Sequence, residues 1–261
     1  MGPAEASPRL HHLRQMLAGV DPSLAPRLPE PEQVADLGLP ALDEALSGGL
    51  AHHALHELAP AGPIYLAAAT GFAMALTARA CRRRGRALWI ATDFALEEAG
   101  GPYGPGLDLF GLPSARLLML RVPRATDALW AMEEALRCRA LASVVAELPG
   151  DAAVELTATC RLALAAREST TLSLLLRHRA TPEPSAAATR WRIAAGPSEP
   201  DDYGGLGRTR FELSLVKNRR GPAGRWIIEW NHHECVFAAV SLPVAEAAFD
   251  RPHRASRAGA N

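Results

Sequence analysis

"ELAPAGPIYLAAATGFAMAL", residues 57–76, runs from the end of an apolar strand through a turn into a long helix. A strand that enters a helix through a glycine-bearing loop is the arrangement that cradles phosphates, because backbone N–H groups at the helix N-terminus point at the anion. In a working loop the last glycine is followed by a lysine, which neutralises the terminal phosphates, and a hydroxyl residue, which holds magnesium. Here Gly71 takes the glycine's place at the helix mouth, Phe72 stands where the lysine belongs and Ala73 where the hydroxyl belongs. Loss of both contacts removes strong charge-assisted bonds. We therefore expect residues 59–73 to be a degenerate phosphate loop, lengthened by Pro63, Ile64 and Tyr65, with no nucleotide cofactor and no catalytic residue.

On either side of this stretch, short apolar runs alternate with helical ones. Strands are expected at 54–58, 86–92, 116–122, 142–148 and 170–177, with helices at 70–85, 126–140 and 151–169. Near-continuous apolar strands separated by helices indicate a parallel sheet covered on both faces, a doubly wound α/β core. After residue 178 the pattern changes to "TRWRIAA" (189–195), "RFELSLVKN" (210–218) and "RWIIEW" (225–230), with Gly and Pro turns and no long helix. These read as antiparallel strands extending the sheet. The helix at 126–140 has Thr126 or Asp127 as a cap, and Glu133 and Glu134 at ion-pair spacing from Arg137.

The termini differ from this core. Residues 1–36 read as a short helix and a proline-rich linker, 37–231 as the core, and 232–261 as an amphipathic, then basic, tail. A formal net charge of zero, with 48% hydrophobic and 21% charged residues, excludes a global field that would steer the chain to nucleic acid or anionic membranes. Scattered cysteines, no secretory start and no apolar run of membrane-spanning length lead us to expect a soluble, cytoplasmic protein that does not contact membranes. "HHALH" (52–56) resembles a metal cluster in letters alone, since strand alternation sends His52 and His53 to opposite faces, and no metal is expected.

In order along the chain, "GLPALDEALSGGLAHHALHEL" (38–58), "DALWAMEEALR" (127–137), "SAAATRWRIA" (185–194) and "SLVKNRRGPAG" (214–224) resemble the RecA-type fold and, within it, the bacterial ImuA family. The resemblance spans about Leu37 to Trp230. It implies a RecA-like sheet and a non-catalytic adaptor in SOS-induced translesion DNA synthesis. The implied partners are RecA, a Y-family-like polymerase homologue of the ImuB type and an error-prone replicative-type polymerase.

The resemblance also marks further residues. Glu147 matches the acid that helps hold magnesium in the family, and Asp93 the position of the catalytic glutamate; with no lysine or hydroxyl to work with, both read as remnants. Lys217, Asn218, Arg219 and Arg220 match the turn that faces a neighbouring subunit in RecA-type filaments, which makes them the expected partner-binding residues. Residues 177–190 fall where RecA carries a DNA-contacting loop, so a weak DNA contact is conceivable there, and "CRRRGR" (81–86) has the charge to touch phosphate. Two other functions fit the same chain: a weak ATP-binding ATPase, and a division inhibitor of the SulA type.

Overall fold

A computed structural model describes residues 34–240 except 84, 151–153, 199, 201–204 and 206. The helix and linker expected before residue 34, and the tail beyond 240, lie outside these residues. The strands are β1 (Val34–Ala35), β2 (Leu50–Ala51), β3 (Leu55–Pro60), β4 (Arg86–Thr92), β5 (Leu117–Val122), β6 (Leu141–Leu148), β7 (Leu172–Arg177), β8 (Thr189–Ala195), β9 (Arg210–Asn218), β10 (Gly224–Asn231) and β11 (Val236–Ala239). The helices are α1 (Pro40–Ala45), α2 (Leu66–Arg83), α3 (Asp93–Ala99), α4 (Gly104–Leu109), α5 (Ala125–Ala135) and α6 (Leu156–Arg167).

Nine strands form one sheet in the order β11-β10-β9-β8-β3-β7-β6-β4-β5. Pairing is parallel from β5 through to β8 and antiparallel from β8 to β11. This is the RecA-like, doubly wound and mostly parallel sheet with antiparallel strands added at its C-terminal side. One detail differs from the expectation: β8 runs parallel to β3 and only its other neighbour is antiparallel. Its arginines alternate with Trp191 and Ile193, so its composition resembles a half-exposed antiparallel strand although its backbone completes the parallel set. The sheet also extends past the expected end of the core at 231, because Val236–Ala239 pairs with β10 as β11.

Each face has its own core. Helix α2 packs on one face against Leu58, Trp89, Val145, Leu174, Trp191 and Ile193. Helices α5 and α6 cover the other, where Ala128, Ala131, Met132 and Ala135 repeat at helical spacing and meet Ile90, Val144 and Ala146. The α5 cap is not the expected one. The N-cap residue is Arg124, whose guanidinium bonds both Asp127 carboxylate oxygens at 2.9 Å. Glu134 pairs with Arg137, while Glu133 reaches across to Arg161 on α6 at 2.6 Å.

The central helix starts earlier than the sequence suggests. A 3-10 turn at Pro63–Tyr65 leads directly into α2 at Leu66, four residues before the expected start. Seven alanines favour this helix and let it lie close on the sheet. Counted from Pro63 to Arg82 it is 20 residues with a mean hydropathy of 1.4, so by length and composition it passes for a membrane span, contrary to our reading of the sequence. Half of it is buried inside the fold, which accounts for its apolarity as that of a core helix.

At the N-terminal side, α1 turns into β2 through Ser47, Gly48 and Gly49. Gly49 has a φ of +132°, and a Cβ there would lie 2.4 Å from the Ala35 carbonyl oxygen, so only glycine lets β1 close onto β2. At the opposite border of the large sheet, β5 is an edge strand, paired among the described residues with β4 alone. Its Leu118, Met119 and Leu120 are exposed, and Trp130 on α5 is 62% exposed.

Candidate functional site

Ligands of open α/β sheets bind beyond the carboxyl ends of the parallel strands. In this chain a cavity of about 430 Å³ lies there, between α2 and the Ala99–Phe110 segment, lined by Leu66, Thr70, Gly71, Met74, Tyr103 and Phe110 with Glu147 among them. Among the described residues, no arginine or lysine contributes to its lining. A triphosphate placed here would meet apolar walls and a carboxylate.

The backbone is equally unsuited to phosphate. The strand β3 ends at Pro60 and the helical turn begins at Pro63, leaving a connection of Ala61 and Gly62. The expected lengthened loop is therefore a short one. Of the N–H groups that line such a loop, Ala61 spends its own on the Ile193 carbonyl at 2.7 Å, and Pro63 has none. The residues at the true helix start are Ile64, Tyr65, Leu66 and Ala67, none of them a lysine or a hydroxyl residue small enough to hold magnesium.

The three residues expected at the loop lie deeper in the helix. Gly71 is in its second turn and lines the cavity; a Cβ there would come within 3.2 Å of the Phe110 ring, so the missing side chain makes room for Phe110. Phe72 and Ala73 are fully buried. The Phe72 ring lies 6.0 Å from Trp191, 5.7 Å from Phe211 and 5.5 Å from Phe237, centroid to centroid, in the tilted and edge-on geometries aromatic pairs favour. This side chain joins α2 to β8, β9 and β11 and does not face a ligand.

The two remnant acids are separated. Asp93, the first residue of α3, is turned outward onto Arg121 and does not line the cavity. Glu147 is buried on β6, where Trp89 Nε1 donates to one carboxylate oxygen at 2.7 Å and His178 Nε2 lies 2.8 Å from the other. The other ring nitrogen of His178 lies 3.3 Å from Glu98. Burial opposes charging of the His178 ring, but the bonds and charges of Glu147 and Glu98 outweigh it and hold its pKa above the ordinary histidine value. Both carboxylate oxygens of Glu147 are thus engaged within the protein, and His178 is the member of this network that our reading of the sequence missed. The only signal for it was its place in "RHR" just after an apolar strand.

The basic turn is likewise directed inward. Lys217 Nζ donates to the Ser185 carbonyl at 2.6 Å, the Asn218 amide to Ala45 O at 2.8 Å, and Arg220 Nη2 to Ser47 O at 2.6 Å. Burial, then the neighbouring Arg219 and Arg190, push the Lys217 pKa below the usual lysine value. Asn218 thereby satisfies the last carbonyl of α1, and Arg220 a carbonyl of the turn that follows it. Arg219 alone of the four is exposed. We expect Arg220→Ala to cost about 1.5–3 kcal/mol in urea unfolding, as a charged donor to buried carbonyls is lost, and Arg219→Ala to change stability by no more than about 0.5 kcal/mol. The expected DNA-contacting segment is held as well: Arg177 and His178 are buried, and Arg190 fixes the segment through the Thr181 and Glu183 carbonyls.

Among curated proteins, the chain is 34% identical over 218 residues to Protein ImuA of Caulobacter vibrioides strain NA1000, an alignment covering 76% of this chain and 84% of that protein. Protein ImuA of strain ATCC 19089 matches to the same extent. The chain belongs to the ImuA family. No family model matches it. As an ImuA-family protein it combines the RecA-like sheet with a cleft whose described lining is mostly apolar, with Glu147 among it.

Proposed function

We propose that this ImuA-family chain is a cytoplasmic, non-catalytic RecA-like adaptor in SOS-induced translesion synthesis, binding RecA and the mutagenic polymerases and hydrolysing no ATP. Family membership links it to damage-induced mutagenesis. The observation that carries the non-catalytic part is the cleft itself, where Leu66 and Ala67 occupy the helix start, no cation lines the wall and Glu147 is tied to Trp89 and His178. A protein that keeps the shape of an ATPase without the groups that bind nucleotide acts by recognition.

The basic turn is a poor docking surface, because three of its four side chains are engaged within the protein: Asn218 and Arg220 at the end of α1 and the turn after it, and Lys217 on the Ser185 carbonyl. The edge of the sheet suits the role better. Strand β5 offers a backbone edge unpaired among the described residues, with Leu118 and Leu120 exposed on one face and Met119 on the other, as open edges that pair with other chains do. We assign the RecA contact to this edge.

The test is recovery of partners on the tagged protein from cells treated with a DNA-damaging agent, comparing wild type with Leu118→Asp, Leu120→Asp. Wild type is expected to bring down RecA and the polymerase components, and the double variant to lose RecA by tenfold or more, on the order of the loss expected when central apolar contacts are replaced by charge. Recovery of FtsZ without them would transfer the protein to division control. Binding of magnesium-ATP by the purified chain in calorimetry would overturn the non-catalytic reading independently.

A further inference from the structure

A second concavity lies at the opposite end of the sheet from the cleft, where the C-terminal turn of α2 meets the loop before β5 and the turn between β10 and β11. It has a volume of about 360 Å³ and is lined by Ala78, Cys81, Arg82, Gly111, Pro113, Arg116, His232, His233 and Cys235. Among the described residues, every titratable group in that lining besides the two cysteines is an arginine or a histidine, and no carboxylate contributes.

The surroundings keep this charge available. Arg82 is exposed and makes no hydrogen bond or ion pair with any described residue. Arg116 donates one N–H to Cys81 O at 2.7 Å, which offsets the negative end of the α2 dipole, and its other four donors make no hydrogen bond to a described residue. The His232 and His233 rings stack with centroids 4.0 Å apart. Carboxylates on the neighbouring elements are engaged elsewhere: Asp36 by Arg79, Glu229 by Arg208 and Arg210, and Glu234 by the Asn231 amide. Asp108 on α4 is exposed and does not line the pocket.

The walls are also fixed in place. Gly111 has a φ of +75°, and a Cβ there would lie 2.6 Å from Cys235 Sγ and 2.7 Å from the His232 carbonyl oxygen, so the loop carrying Arg116 is seated directly on the turn carrying the two histidines. Arg79 ties the same turn to α2 through the Cys235 carbonyl. Three separate stretches of chain thus bring two arginines and two histidines to the lining of one space.

We propose that this pocket binds a phosphate group. Two guanidinium forks supply the bidentate geometry that phosphate oxygens accept, and the imidazoles add donors that become cationic when an anion arrives. Burial, then His233 and Arg208, depress the His232 pKa in the free protein, so a bound anion has a repulsion to relieve. The phosphate belongs either to a free phosphorylated compound or to the backbone of single-stranded DNA, and the two are told apart by experiment. The inference is independent of the adaptor reading.

Imidazole resonances of His232 and His233 in the labelled full chain are followed by NMR while inorganic phosphate, or oligothymidine, is added against chloride of equal ionic strength. The pocket predicts a saturable response to phosphate and an upward move of the His232 titration midpoint by about half a pH unit or more. Arg82→Ala and His233→Ala, both at exposed positions, are expected to weaken the apparent affinity about tenfold while unfolding at the same urea concentration as wild type. Saturation by oligothymidine at a tenfold lower phosphate concentration identifies the DNA backbone as the source, and saturation by inorganic phosphate without that preference identifies a free compound. A response that chloride reproduces, or that both variants retain in full, overturns the proposal.

Discussion

Replacing Phe72 with lysine and Ala73 with threonine, the pair that would restore a nucleotide-binding consensus on paper, is expected to unfold the protein and confer no ATP binding. The Phe72 side chain is fully buried among Trp191, Phe211 and Phe237. Removing an aromatic ring from such a site costs about 3–5 kcal/mol, and placing an unpaired ammonium there adds more. Their sum rivals the whole stability of an ordinary domain, about 5–15 kcal/mol. Urea unfolding followed by tryptophan fluorescence should show no cooperative transition in the variant, and calorimetry with magnesium-ATP no heat of binding. A folded variant that binds ATP would show that Phe72 does face the cleft and that the register of α2 described above is wrong.

The second large effect is expected at Glu147. Its carboxylate is the partner of both the Trp89 indole N–H and the His178 ring, all three buried. Glu147→Ala leaves a buried donor and a buried histidine without their acceptor, and breaking a buried pair from one side costs about 3–5 kcal/mol. The pH dependence separates charge from packing. Because the folded state raises the His178 pKa, its contribution is complete below the unfolded value of 6.5 and declines as pH rises through the raised value. Glu147→Gln, which keeps an acceptor and removes the charge, should lose most stability on the acidic side of that window and least above it. Equal loss across the window would show that the pair is held by hydrogen bonding without ionisation.

How far the sequence could be read depended on what each residue faces. The strands and the two long helices from 86 to 177 were legible because parallel strands are continuously apolar and the helices α5 and α6 are amphipathic, whereas the short α3 and α4 between β4 and β5 were not expected. The degenerate loop was placed wrongly because the expectation anchored on Gly71. A glycine in a helix that makes room for a neighbouring ring, here Phe110, looks in sequence like one that shapes a loop. The conclusion that lysine and hydroxyl are missing survives the shift in position, because the true helix start lacks them too. The basic turn misled for a related reason. Lysine and arginine letters suggest an exposed patch, whereas Lys217 and Arg220 extend along the surface to carbonyls on segments more than 30 residues away in the chain, a destination no local pattern encodes. The Glu147–His178 contact likewise joins neighbouring parallel strands whose order becomes visible only once the sheet is assembled.

The open β5 edge also bears on how the protein has to be made. A strand with Leu118, Met119 and Leu120 exposed and one side of its backbone unpaired can add a strand from any source, including another copy of itself. Copies produced in excess of whatever covers that edge are expected to associate with one another in proportion to their concentration, so soluble yield should depend on co-expression with a covering partner more than on temperature or host. The same dependence would make synthesis of the chain in step with its partners a requirement in the cell, since surplus copies are lost to aggregation instead of accumulating as a reserve.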